Sequence, residues 1–436
     1  MSDPLSAGLL GFVGLFALIA LHVPIGAAMA IAGLVAFGIL AGFGPALSLF
    51  GTETATALGN LDLAAIPLFL LMGNFASAAG MSADVYRLAH ALCGHWRGGL
   101  AYSTILGCAG FGAVCGSSVA TAATMTSVAL PEMRKRGYRA SLATGSIAAG
   151  GTLGILVPPS IIMVLYSVLT EQFVITLYVA ALVPSVIAVV LMLGAVAIVV
   201  RSDRDAGPAG PRASRSECLA AAAQSWAVVI LAAVIGAGIY SGIFTVNEAA
   251  AIGTVLAFGF AVGRRRLTRR ILYRTLVNTA STTGMIYMML IGANVLSYFV
   301  TASRLPEVTV RAVQQLQVAP LAIIAVLLVI YIILGAIFEE VSVMLVTLPF
   351  VLPMVVGFGY SPVWWGIINV IVIEIGMIAP PIGLNVFVVH SLARDVPMKT
   401  IYAGIMPFFY AELVLLALLV AFPALTMWLP SAMALK

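Results

Sequence analysis

The sequence predicts an all-α polytopic membrane protein built from two inverted repeats, each with a re-entrant helical hairpin and a broken transmembrane helix. Three observations support this fold class. The 436-residue chain is 62% hydrophobic and only 8% charged, whereas about a quarter of residues are charged in soluble domains. Apolar stretches of roughly 18 to 25 residues, long enough to span a bilayer as a helix, recur from end to end. Glycines and prolines that break helices also recur at one fixed offset.

The apolar stretches predict helices and not strands. The segment Leu182–Val200 is apolar on every face, whereas a transmembrane strand would alternate between apolar and polar residues over about ten positions. The opening stretch Leu9–Val23 follows no basic region and runs into a second apolar segment. We therefore interpret it as the first span and not as a cleavable signal peptide.

The basic residues predict the topology. They cluster in three short loops, Arg134–Arg139, Arg201–Arg215 and Arg264–Arg270, which the positive-inside rule assigns to the cytoplasm. Two apolar segments, about 224–244 and 246–263, separate the second cluster from the third and return the chain to the same side. Both termini are then expected to face the periplasm of a bacterial inner membrane. Because topology explains the net charge of +5, nucleic acid is not predicted as a partner.

The sequence gives no indication of an enzyme. Its four cysteines lack metal-ligand spacing, and the chain contains no HExxH motif, no GxSxG motif and no histidine-rich cluster. We therefore predict no catalytic residues and no organic cofactor.

An internal repeat is indicated by residues 222 positions apart. Four pairs coincide at this offset: Pro131 with Pro353, Gly154 with Gly376, Pro158 with Pro380, and Pro159 with Pro381. The first repeat is predicted to cover residues 1–200, with a hairpin at about 99–132 and a broken helix at about 140–170. A cytoplasmic polar linker covers 201–219. The second repeat covers 220–436, with a hairpin at about 319–357 and a broken helix at about 361–393. Inverted repeats are the architecture of many secondary transporters.

Breaks in membrane helices indicate where a site lies, since non-helical backbone is tolerated at membrane depth only inside protein or beside a water-filled cavity. In the first repeat, small and polar residues interrupt the hairpin segment Cys108–Met125, and a double proline interrupts Gly150–Ser160. Hydroxyls and carbonyl ends of helices suit a sodium ion, and helix N-termini suit an anionic substrate. The candidate residues of this half are Gly112, Gly116, Ser117, Ser118, Thr121, Gly154, Pro158 and Pro159; Gly116, Ser117, Ser118 and Gly154 are the predicted ligands of a first sodium ion.

The second repeat offers matching breaks at Leu334–Pro349 and Glu374–Asn385. The offset places Phe338 and Glu339 opposite Gly116 and Ser117. The candidate residues here are Gly335, Glu339, Glu340, Gly376, Pro380, Pro381 and Asn385; Gly335, Glu339, Gly376 and Pro380 are the predicted ligands of a second sodium ion. The two adjacent carboxylates leave open which one faces the site.

Structural interpretations compete with these assignments. Thr121, Thr124 and Thr126 could simply bond the carbonyl four residues earlier, and Gly145 could mediate helix packing. Asn74 and Asn294 could line the pathway. Helix N-terminal placement is a sufficient explanation for Asp62 and Glu248, and the four histidines lie near predicted span ends.

The chain resembles the large membrane subunit of tripartite ATP-independent periplasmic (TRAP) transporters, the DctM type, over nearly its whole length. The segments that carry the resemblance are IPLFLLMGNFASAAG from Ile66, GAVCGSSVATAATM from Gly112, LPEMRKRGY from Leu130, GTLGILVPPSI from Gly151, LPFVLPMV from Leu348 and IGMIAPPIGLNVFV from Ile375. The resemblance implies an elevator-type carrier driven by a sodium gradient. It also implies two partners: a small four-helix membrane subunit, and a soluble periplasmic protein that captures a small organic anion such as a dicarboxylate or sugar acid. The Phe338–Val341 tip is bulkier than the acidic residue followed by small residues that is common in the family.

A second transport function remains open at this point. A self-sufficient anion–sodium symporter of similar architecture would need no capture protein, and a neighbouring gene for a periplasmic binding protein would distinguish the two. A channel is disfavoured because paired hairpins and broken helices imply alternating access to an occluded site.

Overall fold

The computed structural model describes residues 4–308, 311 and 319–433, and within these residues the chain forms helices and no strands. The helices of the first half are α1 Pro4–Ala20, α2 Ile25–Ala41, α3 Phe43–Gly59, α4 Ala65–Ala78, α5 Met81–Cys93, α6 Gly99–Cys115, α7 Ser118–Lys135, α8 Ala140–Leu156, α9 Ile161–Thr170 and α10 Val174–Ser202. Those that follow are α11 Arg215–Gln224, α12 Trp226–Tyr240, α13 Val246–Gly263, α14 Arg269–Ala302, α15 Pro320–Ile337, α16 Glu340–Gly357, α17 Pro362–Ile378, α18 Leu384–Leu392, α19 Met398–Ala421 and α20 Ala424–Ala432.

These helices have the dimensions of a membrane protein. In the described part of the chain, seven are long and apolar enough to cross a bilayer, or nine if two bent pairs each count as one span. Large apolar side chains such as Leu10, Val190 and Val326 are exposed on them. An exterior of this kind is compatible with lipid and not with water. The predicted all-α polytopic fold is confirmed.

The helix boundaries repeat at the offset of 222 residues. Both ends of α7 and α8 coincide at this offset with both ends of α16 and α17, and the end of α6 coincides with that of α15. The Pro158–Pro159 and Pro380–Pro381 peptide bonds are both cis. The halves therefore share one local fold, and their opposite orientation in the membrane stays a prediction.

Each hairpin consists of two helices separated by two residues. Gly116 ends α6 with φ of 66°, a left-handed conformation that glycine adopts without steric cost. Ser117 then caps α7, while Phe338 and Glu339 occupy the same two positions between α15 and α16. The hairpins lie at 99–135 and 320–357, close to the predicted segments.

Each broken helix stops at its double proline and restarts after a short extended segment. The first consists of α8 and α9, which are bent by 40° relative to each other, and the second consists of α17 and α18. From Val363 to Ile378, α17 is buried along its whole length, so it forms the centre of the bundle.

The predicted polar linker is more ordered than its composition suggests. Its last five residues begin α11, which starts with a capping box between Ser214 and Glu217. Earlier in the linker, the carbonyl of Gly207 accepts from Gly98 N at 2.9 Å, and that of Ala206 accepts from Arg139 N at 3.0 Å. The linker is therefore hydrogen-bonded to the residues that precede and follow the first hairpin.

A second group of helices packs beside the hairpins and broken helices. Helices α2 and α14 approach each other through glycines: a Cβ on Gly26 would lie 2.7 Å from the backbone of Met289, and one on Gly33 would lie 2.8 Å from Leu296 N. The backbones of the two helices are therefore in close contact at these glycines. We call α1–α4 and α12–α14 the outer group.

Asp84 links helix α5 to the end of α13 and to the start of α12. This buried carboxylate on α5 bonds to Arg264 at the end of α13 and to Arg87 at 2.9 Å, while the Asp84 carbonyl accepts from Ser225 Oγ at 3.0 Å. Asp84→Asn removes the charge opposite both arginines, so we expect a loss of stability of about 1–3 kcal/mol. Thermal unfolding in detergent measures this, with the exposed Asp205→Asn as control. Equal melting temperatures for both variants would refute the assignment.

Candidate functional site

The tips of the two hairpins touch at equivalent positions of the two repeats. Ser118 Oγ at the start of α7 donates to Glu340 Oε2 at the start of α16, at 2.7 Å, and the two residues are 222 positions apart. Both side chains are buried. The contact brings the N-termini of two helices from opposite halves of the sequence together.

The first hairpin tip also packs on the first broken helix, where glycines permit a close approach. A Cβ on Gly154 would lie 2.7 Å from the carbonyl oxygen of Ser117 and 2.6 Å from Thr121 Oγ1. A Cβ on Gly112 would lie 2.8 Å from Gly154 Cα, and one on Gly116 would lie 3.1 Å from the carbonyl oxygen of Pro159. Six predicted residues of the first half are therefore in one place.

The donor atoms at this contact suit a hard cation. Thr121 Oγ1 and Ser160 Oγ are buried and have no hydrogen-bond partner among the described residues. The carbonyl of Ser117 and Thr121 Oγ1 both lie within 2.7 Å of a Cβ built on Gly154. Buried oxygens without donors are unfavourable unless something else satisfies them, and hydroxyl and carbonyl oxygens are ligands of hard cations. The arrangement therefore fits the predicted first sodium ion.

Two of the predicted serines act differently from each other. Ser117 Oγ caps its own helix by accepting from Ala120 N at 3.4 Å, so its carbonyl is the atom directed at Gly154. Ser118 faces Glu340 and also Met377 Sδ, at 3.4 Å.

The second half has the same backbone contact but a poorer set of oxygens. A Cβ on Gly376 would lie 2.6 Å from Gly335 Cα. Glu339 caps α16 by accepting from Ser342 N at 3.2 Å. Pro380 and Pro381 are exposed, and the carbonyl of Pro381 accepts from Tyr402 OH at 2.8 Å.

Asn385 contacts the other repeat. It is fully buried on α18, and its Nδ2 donates to the carbonyl of Ala148 on α8 at 3.3 Å, close to Gly151. Its Oδ1 has no partner among the described residues. Asn385 thus joins the second broken helix to the first.

A cavity of about 460 Å³ lies between the outer group and the two hairpin tips. The first residues of four helices line it, and these are the four helices that follow a break in the chain. They are α7 through Val119 and Ala120, α9 through Ile161 and Ile162, α16 through Glu340 and Val341, and α18 through Leu384. Each contributes unpaired amides and the positive end of its helix dipole.

Neutral polar side chains line the opposite wall. Asn278, Ser281 and Thr282 on α14 face the cavity together with Asn74 on α4, and Asn74 Nδ2 donates to Thr279 Oγ1 at 2.8 Å. The lining includes Glu339 and Glu340 but no lysine, arginine or histidine among the described residues. An anion in this cavity would be bound by helix N-termini, neutral donors and a co-bound cation.

Sequence reasoning missed the α14 residues, although a signal was present. Asn278, Ser281 and Thr282 follow the i, i+3, i+4 spacing of one helix face within a predicted span. Of the two asparagines singled out, Asn74 lines the cavity, whereas Asn294 Nδ2 donates to Glu53 Oε2 at 3.0 Å, within the outer group. Thr126 Oγ1 donates to the carbonyl of Ala122 at 2.6 Å, as expected for a hydroxyl that bonds its own helix. Thr121 Oγ1 makes no such bond among the described residues.

A helical membrane protein with two hairpins and two broken helices around one polar cavity has the architecture of a secondary transporter. The family model described as "Tripartite ATP-independent periplasmic transporter, DctM component" matches residues 12–425. The chain belongs to this family of transporter permeases. TRAP large permeases are multi-pass proteins of the inner membrane that work with a small membrane subunit and a periplasmic binding protein. The predicted family and the predicted inner-membrane location are therefore confirmed.

Curated relatives differ in their named substrates. A "C4-dicarboxylate TRAP transporter large permease protein DctM" of Pseudomonas aeruginosa is 34% identical over 388 residues, covering 88% of this chain and 89% of the relative. A "Sialic acid TRAP transporter large permease protein SiaM" of Vibrio cholerae is 29% identical, with 86% and 87% covered. Among solved structures, the Alcanivorax borkumensis YdaH transporter matches with a TM-score of 0.61 at 15% identity, with 90% of each chain covered. This last likeness supports the fold alone.

Proposed function

We propose that this protein mediates sodium-driven uptake of a small organic anion across the bacterial inner membrane, and that a periplasmic binding protein delivers the anion. The observation that carries the proposal is the single cavity onto which four helix N-termini open. Helix N-termini attract anions, and the cavity lies between two groups of helices, where a moving site would be expected.

The coupling ion is assigned to the oxygen cluster behind the first hairpin tip. The Ser117 carbonyl, Thr121 Oγ1 and the backbone around Gly154 are close together, and the hydroxyl of Thr121 lacks another partner among the described residues. A sodium ion at this position would hold the hairpin against the broken helix and complete the anion site. The second ion, at Gly335, Glu339, Gly376 and Pro380, is a weaker proposal because its glutamate already caps a helix.

An elevator movement is proposed because the fold divides into the outer group on one side and the hairpins with the broken helices on the other. The tight glycine contacts between α2 and α14 suit a fixed outer group, and the polar cavity separates that group from the hairpins. In this proposal the hairpins and broken helices move as one unit and carry the anion along the α14 wall.

The substrate is proposed only as a class. The named substrates of the relatives are C4-dicarboxylates, sialic acid and, for a longer protein of Oleidesulfovibrio alaskensis that is 29% identical, isethionate. All are small organic acids. A cavity with neutral donors and helix N-termini suits any of them.

Removal of the Ser118 hydroxyl tests the ion site. We expect Ser118→Ala to weaken the apparent sodium affinity about tenfold, because the hydroxyl bonds to a carboxylate that joins the two tips and such bonds contribute about 1.5–3 kcal/mol. Ser117→Ala should have a smaller effect because the carbonyl, and not the hydroxyl, faces Gly154. Sodium-dependence curves for uptake measure both effects.

Ser127→Ala is the matched control, since Ser127 lies on the same helix and its exposed hydroxyl bonds only its own backbone. Unchanged sodium affinity in Ser118→Ala would remove Ser118 from the ion site.

A further inference from the structure

Glu412 is a buried carboxyl group away from the cavity. It lies in the middle of α19, is 3% exposed, and faces Thr152 on α8, two residues before Gly154. Apolar helices surround it, and the sequence analysis did not single it out.

The Thr152 hydroxyl can accommodate a proton on Glu412. Its Oγ1 lies 2.7 Å from the carbonyl oxygen of Ala149 and 2.7 Å from Glu412 Oε1. A hydroxyl has one hydrogen, and a carbonyl oxygen has none to give. With a proton on Glu412, the carboxyl group donates to Thr152 and Thr152 donates to Ala149, so that each contact has its own hydrogen.

The surroundings of Glu412 supply no positive charge. Another buried carboxyl group, Glu374, lies on the neighbouring helix α17. Glu374 Oε1 and Glu412 Oε2 are both buried without a partner among the described residues. The packed helices α8 and α20 contain no ionisable side chain, and α17 contains only Glu374.

The remaining ionisable groups on packed helices are directed elsewhere. Lys399 starts α19, about 20 Å along the axis from Glu412 at 1.5 Å per residue, and Arg201 lies in the last turn of α10. On α18, His390 Nδ1 contacts the carbonyl of Val396 at 3.0 Å. The tyrosines of these helices are Tyr178, which bonds Ser160, Tyr402, which bonds Pro381, and the exposed Tyr410.

An ionised carboxylate without a cation would be strongly unfavourable in this interior. No cluster of three or more histidine, cysteine, aspartate or glutamate side chains able to hold a metal ion occurs in the described residues. A proton is the ligand that a single buried carboxyl and one hydroxyl can bind without further groups.

We propose that Glu412 binds a proton during the transport cycle, with Thr152 as its acceptor, so that uptake depends on protons as well as on sodium. Thr152 belongs to the broken helix that holds the first ion site. The residue equivalent to Thr152 in the second repeat, 222 positions later, is Glu374. Glu412 and Thr152 lie where α8 and α19 pack closely, since the backbone of Gly404 leaves no room for a Cβ on Gly145. The inference rests on the proposed transport function and adds a second coupled ion to it.

The test uses the complete complex, with small subunit and binding protein, in proteoliposomes under a fixed sodium gradient and equal pH on both sides. The readouts are the initial uptake rate across pH and substrate-dependent proton movement, followed by a lumenal pH dye. For one required proton, the wild-type rate should fall about tenfold per pH unit on its alkaline limb. Glu412→Gln, which retains a neutral hydrogen-bonding side chain, should lose this limb and the proton movement. The exposed Glu132→Gln should keep both.

Thr152 provides a second test that does not remove the carboxyl. Thr152→Val eliminates the acceptor for the proton, so its alkaline limb should move to lower pH by roughly one unit, while Thr152→Ser should retain the wild-type profile. A wild type without substrate-dependent proton movement, or identical pH profiles in wild type, Glu412→Gln and Thr152→Val, would overturn the inference. If Glu412→Gln does not assemble, the Thr152 pair decides.

The two proposals fail separately. Sodium-driven uptake with a flat pH profile would overturn the proton site alone. Sodium-independent uptake whose proton movement is lost in Glu412→Gln would overturn the sodium proposal alone.

Discussion

Replacement of Gly154 by valine is expected to abolish sodium-driven uptake while leaving membrane insertion intact. A Cβ at this position would lie within 2.7 Å of both the Ser117 carbonyl and Thr121 Oγ1, so the added side chain displaces the oxygens assigned to the ion. Overpacking strain of about 1–3 kcal/mol corresponds to roughly a 5- to 150-fold weaker apparent sodium affinity, before any loss of oxygen ligands is counted. Uptake as a function of sodium concentration measures the effect.

Gly154→Ala should produce a smaller change in the same direction. Gly194→Val is the control, because nothing lies within 4 Å of a Cβ at Gly194. Sodium affinity that is unchanged in Gly154→Val would contradict the ion site, and equal losses in Gly154→Val and Gly194→Val would indicate a general intolerance to helix substitutions.

A covalent cross-link that ties the outer group to the second hairpin is expected to stop transport. Met289 on α14 and Ser342 on α16 are in contact, with Ser342 Oγ 3.2 Å from Met289 Sδ. If the hairpins move as a unit past α14, a covalent bond here prevents the movement. In a background without the four native cysteines, Met289→Cys with Ser342→Cys should lose uptake when a short bis-methanethiosulfonate reagent bridges the two thiols, and regain it on reduction.

The control cross-link lies within the outer group. Asn294 and Glu53 bond at 3.0 Å between α14 and α3, so Asn294→Cys with Glu53→Cys should be bridged by the same reagent without loss of uptake. Full transport by the bridged Met289–Ser342 pair would contradict the elevator proposal. Loss of uptake in both bridged pairs would contradict the assignment of α3 and α14 to one rigid group.

The fold could be read from the sequence because lipid imposes simple rules. Long apolar segments must be helices, and the breaks at Pro158 and Pro380 coincide with an offset that also fixes the hairpins. Residues such as Gly112, Gly116 and Gly154 could be grouped from the sequence alone, since non-helical backbone at membrane depth must be buried in protein or line a cavity.

Long-range pairing could not be read in the same way. The contact between Ser118 and Glu340, the position of Asn385 against Ala148, and the pairing of Thr152 with Glu412 all join segments far apart in sequence. Neither hydropathy nor local spacing contains this information. The order within the polar linker was missed for a similar reason, because its contacts with Gly98 and Arg139 are tertiary.

Uptake of labelled organic acids into proteoliposomes that contain this chain and its small subunit tests the central claim most directly, with and without binding protein, under an imposed sodium gradient. The account predicts uptake only when both the binding protein and the sodium gradient are present. Sodium-driven uptake without any binding protein would contradict delivery by a capture protein and favour a self-sufficient symporter. Uptake that persists without a sodium gradient would contradict sodium coupling.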